Sequence, residues 1–302
     1  MNALTGDSVQ GGGKIGRPIV ARLLETTLFH VTILTRQNAT SNPDFPSAAT
    51  VRAVDYNSLA SLEAALRGQD AVVSAMAFEA IHEQKNIVDA AANVGVRRIV
   101  PSEYGNDTLN PKLATVPIYQ PKIAIREQCE RLAAEKPPFS WTTVQNASFL
   151  APDWTLDFIV DVKDRGCDVK DGGNVLFCAT TYTDIAQAIV GILTHLEETA
   201  NRPVRISSVN TTQNEIIAIA KELGAVDGWH ITHSRTEDLE AEARRRWSEG
   251  DHSEEVIAMF INRAFIGDGW GGYFPERDNE LLGIKGLQRE GLKNIVKLAM
   301  ER

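Results

Sequence analysis

Apolar residues in the first half of the chain recur at two spacings. Ile15, Ile19, Val20, Leu23 and Leu24 fall at helical spacing and predict a helix over about 14–26. The β-branched run Phe29-His30-Val31-Thr32-Ile33-Leu34-Thr35, ending at Arg36, predicts a buried strand. Shorter apolar runs at 51–54, 71–75, 97–101 and 141–144 predict further strands. Helices are predicted between them, at 58–67, 79–94 and 121–136. Ser58 is placed to cap the first of these, and Gly68 and Gly95 stand where helices stop. Strand and helix therefore alternate with a repeat of roughly 20–25 residues, which calls for parallel pairing through right-handed crossovers. The fold class expected is α/β, a doubly wound parallel sheet. Its first strand is the weak point: before the glycines only Ala3, Leu4 and Val9 are apolar, and Asp7 suits a buried parallel strand badly.

Beyond residue 150 the rhythm loosens. Asp171-Gly172-Gly173-Asn174 reads as a hairpin turn before a strand at 175–179. A helix at 184–195, a strand at 204–208 and helices at 212–223, 236–247, 253–264 and from 288 onward follow. The expected division is a dinucleotide-binding domain over 1–150 and a mixed α/β substrate-binding subdomain over 151–302. The second packs on the first and contributes late elements to it.

Composition narrows the function classes. With 43% hydrophobic and 24% charged residues the 302-residue chain is ordinary for a soluble protein. A net charge of -9 argues against nucleic acid or an anionic membrane as partner. Cys129, Cys167 and Cys178 are too scattered for a disulfide framework or a paired metal motif. No stretch reaches the ~18–20 apolar residues of a membrane span, so a cytoplasmic protein is expected. The six histidines complete no metal-ligand pattern, and no Gly-x-Ser-x-Gly elbow is present.

Two features carry chemistry. Gly11-Gly12-Gly13-Lys14-Ile15-Gly16 runs straight into the first helix, as a phosphate-binding turn does. The strand that follows ends in Thr35-Arg36-Gln37, without the acid that holds the ribose of NAD; an arginine there suits the 2′-phosphate of NADP. Asp55 and Ser74, at the ends of the next two predicted strands, complete the expected cofactor-binding set. The second feature is Lys122, in the first turn of the helix opened by Pro121. The helix dipole and burial both disfavour its charge and equip it for proton transfer; an ordinary helix lysine is the plainer reading. Tyr119 stands three residues earlier, not the four of a Tyr–Lys dyad on one helix, and no dyad is inferred.

These segments, with Asp70-Ala71-Val72-Val73-Ser74, Pro101-Ser102-Glu103-Tyr104-Gly105-Asn106-Asp107 and Lys122-x-x-x-Arg126, resemble the isoflavone reductase and phenylcoumaran benzylic ether reductase group and the NmrA-like proteins. These are atypical short-chain dehydrogenases. The resemblance implies an NAD(P)-binding Rossmann fold and an NADPH-dependent reductase of a small aromatic or polyketide-like secondary metabolite, acting as monomer or homodimer. It implies that Lys122 is the proton-transfer residue and that Arg36 meets the 2′-phosphate. Gly13 and Gly16 match the second and third loop glycines, while Gln10 takes the place of the first. That departure keeps two alternatives open: a non-catalytic dinucleotide sensor and a redox-neutral enzyme. Phe149 and Trp154 are expected as an aromatic substrate wall. Trp270 and Tyr273, on a glycine-rich loop, are expected as a lid.

Overall fold

The computed structural model describes residues 2–7, 13–37, 45–151 and 158–302, the side chains of 2–7, 78 and 79 excepted. Gly11, Gly12 and Trp154 lie outside the described residues.

The strands β1 (Asn2–Asp7), β2 (His30–Arg36), β3 (Thr50–Val54), β4 (Ala71–Ala75), β5 (Arg98–Val100) and β6 (Ser140–Gln145) form a parallel sheet. A late strand, Arg202–Arg205, adds in parallel to the outer edge of β6. The sheet order runs from that strand through β6, β5, β4, β1 and β2 to β3. The strand order therefore reverses between β1 and β4, the place where open α/β sheets bind ligands beyond their carboxyl ends.

The polar opening segment is the middle strand of this sheet, contrary to its poor apolar content. Ala3 pairs with both Val31 and Ala71, so the backbone of β1 is hydrogen-bonded on both sides. Asp7 is its last residue, opposite Ala75, at the carboxyl edge and away from the middle of the sheet.

Alternation along the strands sends residues to two cores. Val31, Ile33, Ala71 and Val73 pack against helix α1 (Gly16–Glu25) and a later helix at Tyr182–Thr194. Leu34, Val54 and Val72 pack against α2 (Leu59–Leu66) and α3 (Gln84–Asn93) on the other face. Helix α4 (Gln120–Glu135) joins this second layer through Ile125 and Cys129. Ser58 caps α2 as expected, its Oγ accepting from the Ser61 N–H at 3.2 Å. Residues 79–94 are not one helix: a 3-10 turn, Phe78–Glu83, precedes α3.

The later half pairs differently from the sequence reading. β7 (Ser148–Phe149), β8 (Gly166–Lys170) and β9 (Phe177–Thr180) come first. Helix α5 (Tyr182–Thr194), strand β10 (Arg202–Arg205), β11 (Val209–Thr211) and helix α6 (Gln213–Glu222) follow. β12 (His230–Ser234), α7 (Thr236–Ser248), α8 (Glu254–Ile266) and α9 (Arg289–Met300) complete the described elements. The turn at 171–174 makes no hairpin. β8 pairs in parallel with the distant β12, and β9 pairs with β11 and β7. At Gly173, φ is +76° and an added Cβ would stand 2.5 Å from Asn214 Oδ1. The glycine thus serves close approach to α6. α5 packs on the first sheet, and β10 pairs in it beside β6.

Candidate active site

A cavity of about 240 Å³ opens at the carboxyl edge of the sheet. Three of the parallel strands lead into the wall: Met76 and Ala77 follow β4, Ser102, Tyr104, Gly105 and Asn106 follow β5, and Phe149 follows β6. Ile15, just before α1, and Tyr119 and Lys122, at the start of α4, complete this side. Ile261 and Phe265 of α8 close the other. The wall is mostly apolar, so a charge placed in it is poorly solvated.

Lys122 is that charge. A short 3-10 turn, Pro117–Tyr119, runs directly into α4, and Tyr119 provides no side-chain cap. Lys122 is half-buried, and its Nζ donates to the carbonyls of Tyr104 at 2.7 Å and Glu103 at 3.1 Å. Burial pushes its pKa down to about 8, against the opposing pull of Glu103. The ammonium has three N–H donors and two are engaged by carbonyls, so one remains for a ligand in the cavity.

The carbonyls are aimed by Gly105. Its φ is +141°, and an added Cβ would sit 3.4 Å from Lys122 Nζ and 3.8 Å from the Glu103 carbonyl. Its own carbonyl accepts from the Ala147 N–H at 2.9 Å, which ties the loop to the end of β6. Beneath it Glu103 is fully buried. Its carboxyl accepts from Thr108 Oγ1 and from Gln145 Nε2 at 3.1 Å, and burial raises its pKa despite those bonds. Tyr104 and Tyr119 are buried, which raises both phenol pKa values and keeps both hydroxyls protonated. Among the described residues, no hydrogen bond joins Tyr119 to Lys122. Among the described residues, the Tyr104 hydroxyl and both amide atoms of Asn106 are buried beside the cavity without a hydrogen-bond partner.

The cofactor-binding candidates lie along the same edge. α1 begins at Gly16, with Ile15 as an N-cap that makes no side-chain bond. Its first-turn N–H groups therefore receive no side-chain cap, which suits an anion. Gly13 accepts from the Arg17 N–H at 3.2 Å, Lys14 is exposed and Gly16 is buried. Ser74 is buried with its Oγ unpartnered among the described residues. Asp55 is exposed past β3, its Oδ1 accepting from the Asn57 N–H at 2.9 Å. Arg36 ends β2, and its Nη2 lies 2.7 Å from both carboxyl oxygens of Glu83. Its guanidinium stands 5.6 Å from the Tyr56 ring centroid. An uncapped helix start, an orphaned buried hydroxyl and a cation at the end of β2 are the donor set a phosphorylated dinucleotide requires.

Of the expected substrate residues that are described, Phe149 lines this cavity. Its ring lies 5.8 Å from that of Tyr182. Trp270 does not line it. The ring is buried among Leu113, Val116, Tyr119 and Phe260, with the Arg263 guanidinium 4.6 Å from its centroid. An indole held between a cation and a core cannot serve as an open lid. Tyr273 is exposed and faces a separate cavity with Leu176 and Asp171. Sequence reasoning missed Ile261 and Phe265, whose apolar helix carries no mark of what it will face. It also missed Glu83, an unremarkable acid until the fold sets it beside Arg36.

Known proteins share this fold. An oxidoreductase named aprR from Aspergillus flavus is 33% identical over 286 residues, covering 91% of this chain and 93% of its own. Leucoanthocyanidin reductase from Vitis vinifera, solved as a binary complex with NADPH, superposes with a TM-score of 0.76 at 20% identity over 100% of both chains. AtPrR2, solved with NADP+ and (+)-pinoresinol, gives 0.77 at 19% identity over 99% of this chain and 98% of its own. Residues 9–225 match the NmrA-like family, and the chain belongs to it.

Proposed function

We propose that this protein is an NADPH-dependent reductase of a small aromatic or polyketide-like molecule, with Lys122 as its proton-transfer residue. One observation carries the reading: a lysine with a depressed pKa, one donor left free, on the wall of an apolar cavity. The oxidoreductase relative and the NADPH-bound and NADP+-bound structural neighbours support the cofactor half of it. When bound, NADPH supplies the hydride. The chain's own residues do the rest. Gly13 to Gly16 and the start of α1 receive the pyrophosphate, and Arg36 receives the 2′-phosphate. The apolar wall of Ile15, Met76, Phe149 and Phe265 excludes water and takes an aromatic ring. The Glu103 and Tyr104 carbonyls hold Nζ at a fixed point, from which Lys122 gives a proton to the oxygen of the substrate as it gains charge.

The test combines a binding titration with a variant. Wild type and Lys122→Ala are titrated with NADPH by nicotinamide fluorescence, and turnover is measured with quinone or aryl-ketone probes. We expect both proteins to bind NADPH alike and the variant to turn over ~10²-fold more slowly or worse. Failure of the wild type to bind NADPH would overturn the reductase reading. Unchanged turnover in the variant would remove Lys122 from the mechanism.

A further inference from the structure

Arg36 is not presented to a ligand as a bare cation. Its Nη2 is held by both oxygens of Glu83, each at 2.7 Å, and the two side chains are 29% and 13% exposed. Glu83 is the last residue of the 3-10 turn Phe78–Glu83 that follows β4, so it reaches Arg36 from the far side of the switch point. Charge-assisted pairs of this kind are the strong ones, and partial burial reduces screening by salt. The Arg36 Nε is buried and makes no hydrogen bond among the described residues. One part of the guanidinium is therefore saturated by an acid and another part is unsatisfied.

We propose that Glu83 is a cofactor-specificity residue: an internal carboxylate that competes with the 2′-phosphate of NADPH for Arg36. This rests on the assignment of Arg36 to that phosphate. A 2′-phosphate brings up to two negative charges to the place where Glu83 already holds one. It must displace the carboxylate or share the guanidinium with it against like-charge repulsion. A cofactor with a bare 2′-hydroxyl meets no such repulsion and leaves the pair intact. Glu83 thus lowers NADPH affinity, leaves NADH affinity almost unchanged, and narrows the preference that Arg36 alone would set.

Titration calorimetry with 2′,5′-ADP and 5′-AMP isolates the effect, because these probes carry only the adenosine end. The proteins are wild type, Glu83→Gln, Arg36→Ala and the double variant. Glu83→Gln keeps the shape and removes the charge; it should tighten 2′,5′-ADP about tenfold and change 5′-AMP less than about twofold. In the Arg36→Ala background the same substitution should give no such gain. If Glu83→Gln weakens or leaves unchanged 2′,5′-ADP binding while Arg36→Ala weakens it, the competition is overturned and the phosphate assignment survives. If Arg36→Ala does not discriminate the two probes from wild type, the assignment itself fails and takes the proposal with it. Thermal unfolding of each variant shows that the comparison is made between folded proteins.

Discussion

Lys122 and Arg36 are both cations at the carboxyl edge of one sheet, yet their surroundings oppose each other. Arg36 meets a carboxylate at 2.7 Å and leans over Tyr56. Lys122 meets two neutral carbonyls and an apolar wall, and the acid acting on it is the buried Glu103. One cation is stabilised where it stands; the other is held where its charge is costly. A group that must bind a fixed anion gains from permanent charge, and a guanidinium supplies it. A group that must release a proton near neutral pH needs the cost, because that cost brings its pKa toward the working range. The difference is produced by the backbone as much as by the side chains: the Glu103 and Tyr104 carbonyls beside Gly105 hold Nζ, whereas a carboxylate holds Arg36.

The strongest way to break this comparison is therefore at Gly105. Gly105→Ala puts a Cβ where φ is +141° and within 3.4 Å of Nζ. Strain of this kind costs about 1–3 kcal/mol. We expect turnover to fall by about tenfold or more as Nζ shifts, with NADPH affinity unchanged because Arg36 and α1 are untouched. Urea unfolding and a fluorescence titration check both halves. A variant with normal turnover would show that the carbonyl pair does not position Lys122.

The two ends also differed in how far the sequence disclosed them. Arg36 was legible because a strand of seven residues ends on it, and the strand's period and its terminal charge are both local. Lys122 was legible as a residue, since Pro121 and the helix behind it mark the first turn. Its surroundings were not, since Ile261 and Phe265 come from α8; nor was Arg36's partner Glu83, from the turn before α3. Such contacts depend on crossovers and on the packing of distant helices, which no local pattern records. The same limit explains the hairpin expected at 171–174. The turn residues do make a turn, but β8 finds its partner in β12, 64 residues away by the register of Asp168 with Thr232, and not in the next strand. The weak apolar content of β1 misled in the opposite direction. A strand paired on both sides satisfies its backbone whatever its side chains, and Asp7 falls at its open end.

A smaller effect sharpens the comparison by sign. Methionine at either position removes the charge and keeps much of the volume. At Lys122 the fall from 10.5 to about 8 corresponds to roughly 3 kcal/mol disfavouring the charged form. Two carbonyls left without a donor return about 1 kcal/mol each. Lys122→Met should thus gain about 1 kcal/mol of stability at pH 7. The folded protein holds fewer protons at this site than the unfolded chain between pH 8 and 10.5. Wild-type stability therefore rises with pH there, and the gain from Met shrinks over the same window. Arg36→Met instead strands the Glu83 carboxylate and should lose about 1–2 kcal/mol. Urea unfolding at pH 7 reads both, and equal signs would show that the two cations are not held in opposite ways.

The smallest effect tests what Glu103 adds. A proton donor with a pKa of about 8 is charged below that value and neutral above it. The rate of a reaction that draws on its proton should fall as pH rises through about 8, far below the 10.5 of a free lysine. Glu103 opposes that fall, because its negative charge favours the ammonium, while Thr108 and Gln145 donate to the carboxyl and help it ionise. Glu103→Gln keeps an acceptor for those donors and removes the charge. The alkaline limb of kcat/KM should then move to lower pH, with little change on the acid side. A limb that stays in place would mean that Glu103 remains protonated across the range and supports Lys122 through its main-chain carbonyl alone.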